Sequence, residues 1–446
     1  GIILSIRDKL ISKLTKEVSE MNYTQNKKIM QVKSSTLVVG VDIAKKTHVA
    51  RAQDYRGIQF SKPIKIKNNL LGFQGFKNWL DVMMEEHEKT EIIIGMEPTG
   101  HYWLNLEVYL RELGIKVVLV NPAHVKKSKT LDDNTPSKSD QKDARVIAQL
   151  VKDGRYSEPN MLEGIYADLR AAMTHRERLN KDIVRIKAKI QQTIDKYFPE
   201  FFKCFKDWDG KAALSALKEI PFPVDVKDLD IEEILVIFKK GAKRAVGKKK
   251  AAKLKLLAQR SVGITDGMEM ARLELSNLIV QYELINKQKE NLEAIIIDKL
   301  KEIPGAKEML SIKGVGEMTV AGFYSEVGDI NNYSHPKQLQ KLAGLNLVEN
   351  SSGKHKGKTT ISKRGRPFLR STLYRVTLPL VSQNDEFKML HAYYTTRAEN
   401  PLKKKQSLIV IACKLIRVLY ALGTKQVEYD GQKLLDDMLR DQDIYD

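Results

Sequence analysis

The sequence predicts an α/β domain with a mixed sheet, followed by a long and mostly helical region. Two observations predict this. From Ser34 to about Tyr156, short apolar runs alternate with helix-like stretches. From about Leu162 to Ile303, the composition turns charged and apolar residues recur at three- and four-residue steps. The first pattern is that of strands and helices sharing one core; the second is that of helices packing along one stripe.

Leu37 to Asp42 reads as a buried strand that ends in an acid. His48 to Asp54 and Ile58 to Ile66 read as two more strands, joined by a turn at Tyr55-Arg56-Gly57. Asn69 to His87 is helical, with Leu71, Phe73, Phe76, Leu80 and Met83 on one side. Glu91 to Met96 is a strand, Trp103 to Leu113 a helix, Lys116 to Val120 a strand and Ser139 to Asp153 a helix with Ser139 as its N-cap.

Four carboxylates stand out in this part. Asp42 and Glu97 each close an apolar strand, where a carboxylate is costly without a partner. Asp140 and Asp143 stand three apart at a helix start, which places both on one face. Acids at element ends can hold two divalent metals, the equipment for cutting or joining phosphodiesters. Without that role, Asp140 and Asp143 read as N-terminal acids favoured by the helix dipole. His48 and His101 read as structural or substrate-contact residues.

The chain of 446 residues is too long for one ordinary core, and its formal charge of +20 favours a polyanionic partner. Cys204 and Cys413 are far apart and lack metal-ligand spacing, which excludes a disulfide framework or zinc finger and fits a reducing, cytoplasmic setting. No transmembrane span is expected, because Lys414 and Arg417 interrupt the apolar run from Ser407 to Leu422. Residues 1–33 read as an extension without visible chemistry and without a signal peptide. The lack of an initial Met points to processing or to a start at Met21 or Met30.

In the helical region, Leu179, Ile183, Ile186, Ile190, Ile194 and Tyr197 form one seam. Leu275, Leu278, Tyr282, Ile285, Leu292 and Ile295 form another. They fit an antiparallel hairpin, an intermolecular coiled coil or a plain bundle core. The basic run reaching Lys248, Lys249 and Lys250 is either a solvated face or a phosphate contact.

From about Pro304 a third unit begins. Lys313-Gly314-Val315-Gly316 between two short helices has the form of a helix-hairpin-helix turn, whose glycines let backbone N–H groups approach phosphate; a plain Gly-rich turn is the simpler reading. Ser351 and Ser352 fall on a loop among Lys354, Lys356, Lys358, Lys363, Arg364, Arg366 and Arg370, cations that suit a site receiving phosphate. Leu369 to Gln383 and Gln406 to Leu422 read as helices.

Val41-Asp42-Ile43-Ala44-Lys45, Met96-Glu97-Pro98-Thr99-Gly100, Asn121-Pro122, Lys138-Ser139-Asp140 with Asp143-Ala144-Arg145, and Ser351-Ser352-Gly353 with Ile361-Ser362-Lys363-Arg364-Gly365 stand in an order and spacing that is specific as a set. In these residues the chain resembles the bridge-RNA-guided DEDD/serine transposases of insertion sequences of the IS one-ten type, from about Leu37 to Gly423. The resemblance implies a ribonuclease-H-like (RuvC-like) domain over 34–156, a helical coiled-coil segment over 157–303 and a C-terminal transposase domain over 304–446. It implies that Asp42, Glu97, Asp140 and Asp143 hold Mg²⁺, and that Ser352, or in the alternative its neighbour Ser351, attacks DNA. It further implies donor and target DNA and a non-coding guide RNA as partners, and a homodimer assembling to a tetramer. Leu347 departs from the family, which often has a proline shortly after the Gly-Leu pair. The competing readings are a metal-dependent, structure-selective nuclease of the resolvase type and a non-enzymatic nucleic-acid scaffold.

Overall fold

The computed structural model describes residues 25–132, 140–242, 246–348, 351–352, 355–356 and 359–435; for 130–132, 140–141, 351–352 and 355–356 it describes the backbone only. The chain divides into two compact units, residues 1–161 and 162–446.

The first unit is a mixed α/β domain. Its strands are β1 (Thr36–Asp42), β2 (Thr47–Gln53), β3 (Ile64–Lys67), β4 (Glu91–Met96), β5 (Lys116–Val120) and β6 (Tyr156–Ser157), in sheet order β3-β2-β1-β4-β5-β6. β1 runs antiparallel to β2 and parallel to β4. Helices α1 (Leu70–Glu86), α2 (Leu104–Glu112), α3 (Pro122–Asp132) and α4 (Asp140–Lys152) connect or cover the strands. Asn69 caps α1 by accepting the Gly72 N–H at 2.9 Å, and Phe73, Phe76, Leu80 and Met83 bury its inner face, as the periodicity predicts; Leu71 points outward instead.

The third strand is shorter than the expected Ile58 to Ile66. The Asp54 carboxylate accepts the N–H groups of Arg56, Gly57 and Ile58, and Gly57 takes φ +100°. This turn, and Pro63 with no N–H to donate, limit residues 58–63 to a single bridge between Gln53 and Gln59. Helix α3 was not expected. Its signal is Asn121-Pro122: the Asn121 side chain accepts the Ala123 N–H at 2.9 Å and Pro122 takes the first helical position. Ser139, the expected cap of α4, lies outside the described residues.

The second unit is helical. Helices α5 (Gly164–Tyr197) and α6 (Met268–Leu300) pack against each other, and Arg176 to Glu293 (2.6 Å) and Lys299 to Asp168 (2.8 Å) fix an antiparallel arrangement. The hairpin reading therefore holds within one chain. On α6 the seam shifts by one residue: Ile296 is buried, whereas Ile295 is exposed. Short helices between Phe201 and Gln259 close one end around Phe198, Phe201, Phe222 and Phe238.

Helices α7 (Ala306–Leu310), α8 (Glu317–Val327), α9 (Pro336–Ala343), α10 (Pro367–Gln383), α11 (Asp385–Thr396) and α12 (Lys404–Lys425) form a second helical core. Helix α11, also unexpected, is capped by Asn384, which accepts the Phe387 N–H at 3.1 Å. By length and composition α12 is apolar enough to cross a membrane, but half of it is buried, with Ile411, Leu415 and Leu419 in the core.

Candidate functional site

Two glycines set the helix that carries Asp143 against the strands that lead to Asp42 and Glu97. Gly40 of β1 and Gly95 of β4 are direct neighbours in the parallel register, so they open the same face of the sheet. Helix α4 fills that opening. A Cβ added at Gly40 would lie 2.0 Å from the Ala144 carbonyl oxygen and 2.5 Å from the Ala148 nitrogen; one at Gly95 would lie 2.3 Å from Val151 Cγ2. Side chains alternate along a strand, so Asp42, two residues beyond Gly40 and the last of β1, lies on the same face; Glu97 is the first residue after β4. Asp143 precedes the Ala144 contact and is 7% exposed. Backbone spacing then puts Asp140 one turn earlier on α4; its side chain lies outside what is described.

The electrostatics tie Glu97 to Asp143. Burial, reinforced by the negative charge of Asp143, raises the Glu97 pKa above the ordinary carboxylate value, and Lys129 opposes the rise. Lys129, on α3, is ion-paired with Asp143. The sequence reading missed this lysine, whose only signal was the Asn-Pro helix start ahead of it. His48 is fully buried; its Nδ1 accepts the Ala44 N–H at 3.2 Å, and burial lowers its pKa, so it is a neutral support for the loop after Asp42. Among the described residues no three His, Cys, Asp or Glu side chains gather closely enough to hold a metal ion. In chemistry, an all-carboxylate set whose members repel one another suits a hard divalent cation such as Mg²⁺ rather than zinc.

In the second unit, Ser351–Ser352 pairs with His355–Lys356 in a small hairpin, with Ser352 opposite His355. Leu347–Val348 and Thr360–Ile361 pair outside it. The base of this excursion is pinned. Gly344 takes φ +68°, the Lys363 N–H donates to the Gly344 oxygen at 3.0 Å, and a Cβ at Gly365 would lie 2.4 Å from the Leu342 oxygen.

The predicted cations divide by what they touch. Arg370 donates to the oxygens of Ala343 (3.0 Å) and Lys363 (3.2 Å), and Arg366 donates to the Glu326 oxygen at 2.5 Å. Lys363 and Arg364 are exposed and Lys363 takes φ +53°. Lys354 and Lys358 fall outside the described residues, as does the side chain of Lys356. Lys248 is ion-paired with Glu232, and Lys250 lies 4.4 Å from the Phe205 ring centre; Lys249 is exposed. Lys313 is exposed on the turn between α7 and α8, where Gly314 takes φ +97°. At Gly316 the backbone is extended and an added Cβ would meet nothing within 4 Å.

Residues 39–199 match a family model described as a transposase, and residues 306–394 match the Transposase IS116/IS110/IS902 family. The chain is 30% identical over 180 residues to the transposase for insertion sequence element IS1111A of Coxiella burnetii, covering 39% of this chain and 47% of that protein. It is 22% identical over 394 residues to the 44.8 kDa protein of insertion element IS116 of Streptomyces clavuligerus, covering 88% and 96%. The alignment thus spans about half the length of the first relative and nearly all of the second.

Proposed function

Since residues 39–199 and 306–394 match two transposase family models, we propose that the chain is an IS110-type transposase that cuts and rejoins DNA strands through a phosphoserine intermediate, under the direction of a guide RNA. The observation that supports this best is the packing of the helix that carries Asp143 across Gly40 and Gly95, two residues before Asp42 and Glu97, with Asp143 close enough to act on Glu97. Asp140 is the proposed fourth acid, one helical turn from Asp143. The proposed domain that carries them is ribonuclease-H-like and spans 34–156; the serine belongs to a transposase domain spanning 304–446.

Mg²⁺ bound by these acids would supply charge neutralisation at the scissile phosphate and lower the pKa of an attacking hydroxyl. The chain's own part is to position and to store. The Ser352 hydroxyl loses its proton and its Oγ forms a bond to phosphorus as the P–O bond to the leaving strand breaks. The leaving oxygen takes up a proton. Attack by the hydroxyl of the receiving strand reverses the exchange, so rejoining needs no ATP. Lys129, beside Asp143, holds positive charge near the acids, and the exposed Lys363 and Arg364 stand near the base of the serine hairpin to take up backbone phosphate. In this reading sequence choice rests on base pairing with the RNA, the acids of one subunit work with the serine of another, and the assembly is a dimer that pairs into a tetramer in the cytoplasm.

The test is incubation of protein, RNA and labelled DNA with Mg²⁺, followed by a denaturing protein gel. A covalent adduct lost in Ser352→Ala but retained in Ser351→Ala is the expected result. Free DNA ends made by both variants would replace the proposal with the nuclease reading.

A further inference from the structure

The second unit carries a row of cations along adjoining cavities, outside the short motifs quoted above. Three adjoining cavities lie along one side of α5, with volumes of about 480, 200 and 800 Å³. Arg375 of α10 lines all three; Lys181 of α5 lines the two larger ones. Arg170, Arg178, Lys181 and Arg185 line the groove at helical spacing, so they form a row on one face of α5. From Arg170 to Arg185 the helical rise spans roughly 22 Å, the reach of about six or seven nucleotide steps at ~3.4 Å each.

The acids along this row cancel only part of it. Glu326 is held between Arg170 and Arg366 at 3.4 Å each, Asp182 is paired with Arg185 at 3.2 Å, and Asp209 is paired with Lys187 at 2.5 Å, so the two end cations of the row, Arg170 and Arg185, are partnered and, among the described residues, the middle ones are not. Arg178, Lys181 and Arg375 are exposed and make no ion pair among the described residues. Among the described residues that line the cavities, Glu326 is taken up by Arg170 and Arg366, which leaves Glu177 to offset these three. Phe368, half-buried on the wall, adds an aromatic face.

We infer that this groove binds the phosphodiester backbone of a nucleic-acid strand, with Arg178, Lys181 and Arg375 as its principal phosphate contacts. The inference rests on the reading of the chain as a nucleic-acid enzyme, and it assigns phosphate contacts to residues other than the acids and the serine hairpin. Lysine and arginine without protein partners cost little to place on a phosphate, because no internal ion pair is lost.

The experiment measures affinity as a function of salt, in EDTA, for the full chain against a labelled DNA duplex and a labelled RNA hairpin. The variant is Arg178→Ala/Lys181→Ala/Arg375→Ala. A control removes three exposed charges elsewhere in the same unit, Lys307→Ala/Lys404→Ala/Lys405→Ala. The groove variant is expected to lower the salt slope by about three with at least one probe and to weaken binding more than ~10-fold, while the control changes the slope by less than about one. The probe that responds identifies the strand as DNA or RNA. An unchanged slope with both probes, or an equal loss in the control, overturns the inference. Thermal unfolding at the wild-type midpoint shows that the variant is folded. Because no cleavage is read, failure here leaves the phosphoserine proposal standing, and failure of the adduct test leaves this one standing.

Discussion

The two regions proposed to meet at DNA are held in opposite ways. The acids stand on the load-carrying elements themselves: Asp42 ends β1, Glu97 follows β4, and Asp143 lies on the helix packed across both. Ser352 stands on a two-residue strand in a hairpin, an excursion whose base alone is clamped by Gly344, Gly365 and Arg370. A carboxylate set must keep fixed mutual spacing to hold a cation, so it belongs on packed strands and a helix. A nucleophile that must reach phosphorus and then carry a DNA end has more use for a short arm on a firm base.

The largest expected effect breaks the chemistry of the rigid region without its fold. Asp143→Asn should cut strand cleavage by ~10³-fold or more in a gel assay, with a thermal midpoint close to wild type, since the side chain keeps its size. An unfolded variant would mean that Asp143 serves the fold rather than the reaction.

Next come the glycines. Gly40→Ala drives a methyl into the backbone of α4 and should cost about 3 kcal/mol in denaturant unfolding, at the high end for overpacking. Gly365→Ala meets the Leu342 oxygen in the same way and should cost about 2 kcal/mol while lowering adduct formation. Gly316→Ala, with open space around it, should stay within ~0.5 kcal/mol. Equal costs at all three would dissolve the contrast between a packed site and an open turn.

A smaller effect sharpens the electrostatics of the acids. The folded-state pKa of Glu97 is raised by burial and by Asp143. Between the ordinary carboxylate value and that raised value, the folded form binds more protons than the unfolded, so stability falls as pH rises through the window. Glu97→Gln should therefore raise the thermal midpoint at pH 7, and the gain should fade below the ordinary value of 4.5. A gain that grows on acidification would reverse the sign and the assignment.

The smallest effect concerns the thiols. Burial pushes Cys413 up to about 11 and raises Cys204 as well. Both should react with iodoacetamide at pH 7.5 much more slowly than a free thiol, by mass spectrometry of the labelled chain. Rapid labelling of Cys413 would show that the core helix α12 opens.

The sequence by itself determined most of the local facts: where β1, β2, β4, β5 and the long helices run, that two acids stand at strand ends and two share a helix, and that the charge is strongly positive. These follow from periodicity and from the cost of an acid beside an apolar run, both readable over a few residues. Only the tertiary structure decided which contacts join distant segments. It set Gly40 against Gly95 under α4, brought Lys129 to Asp143, turned Arg366 and Arg370 inward to backbone oxygens, and moved the α6 seam from Ile295 to Ile296. It also placed Arg375 beside Arg178 and Lys181. Each of these depends on packing between residues far apart in the chain, and a pattern with a period of two or 3.6 carries no record of its partner.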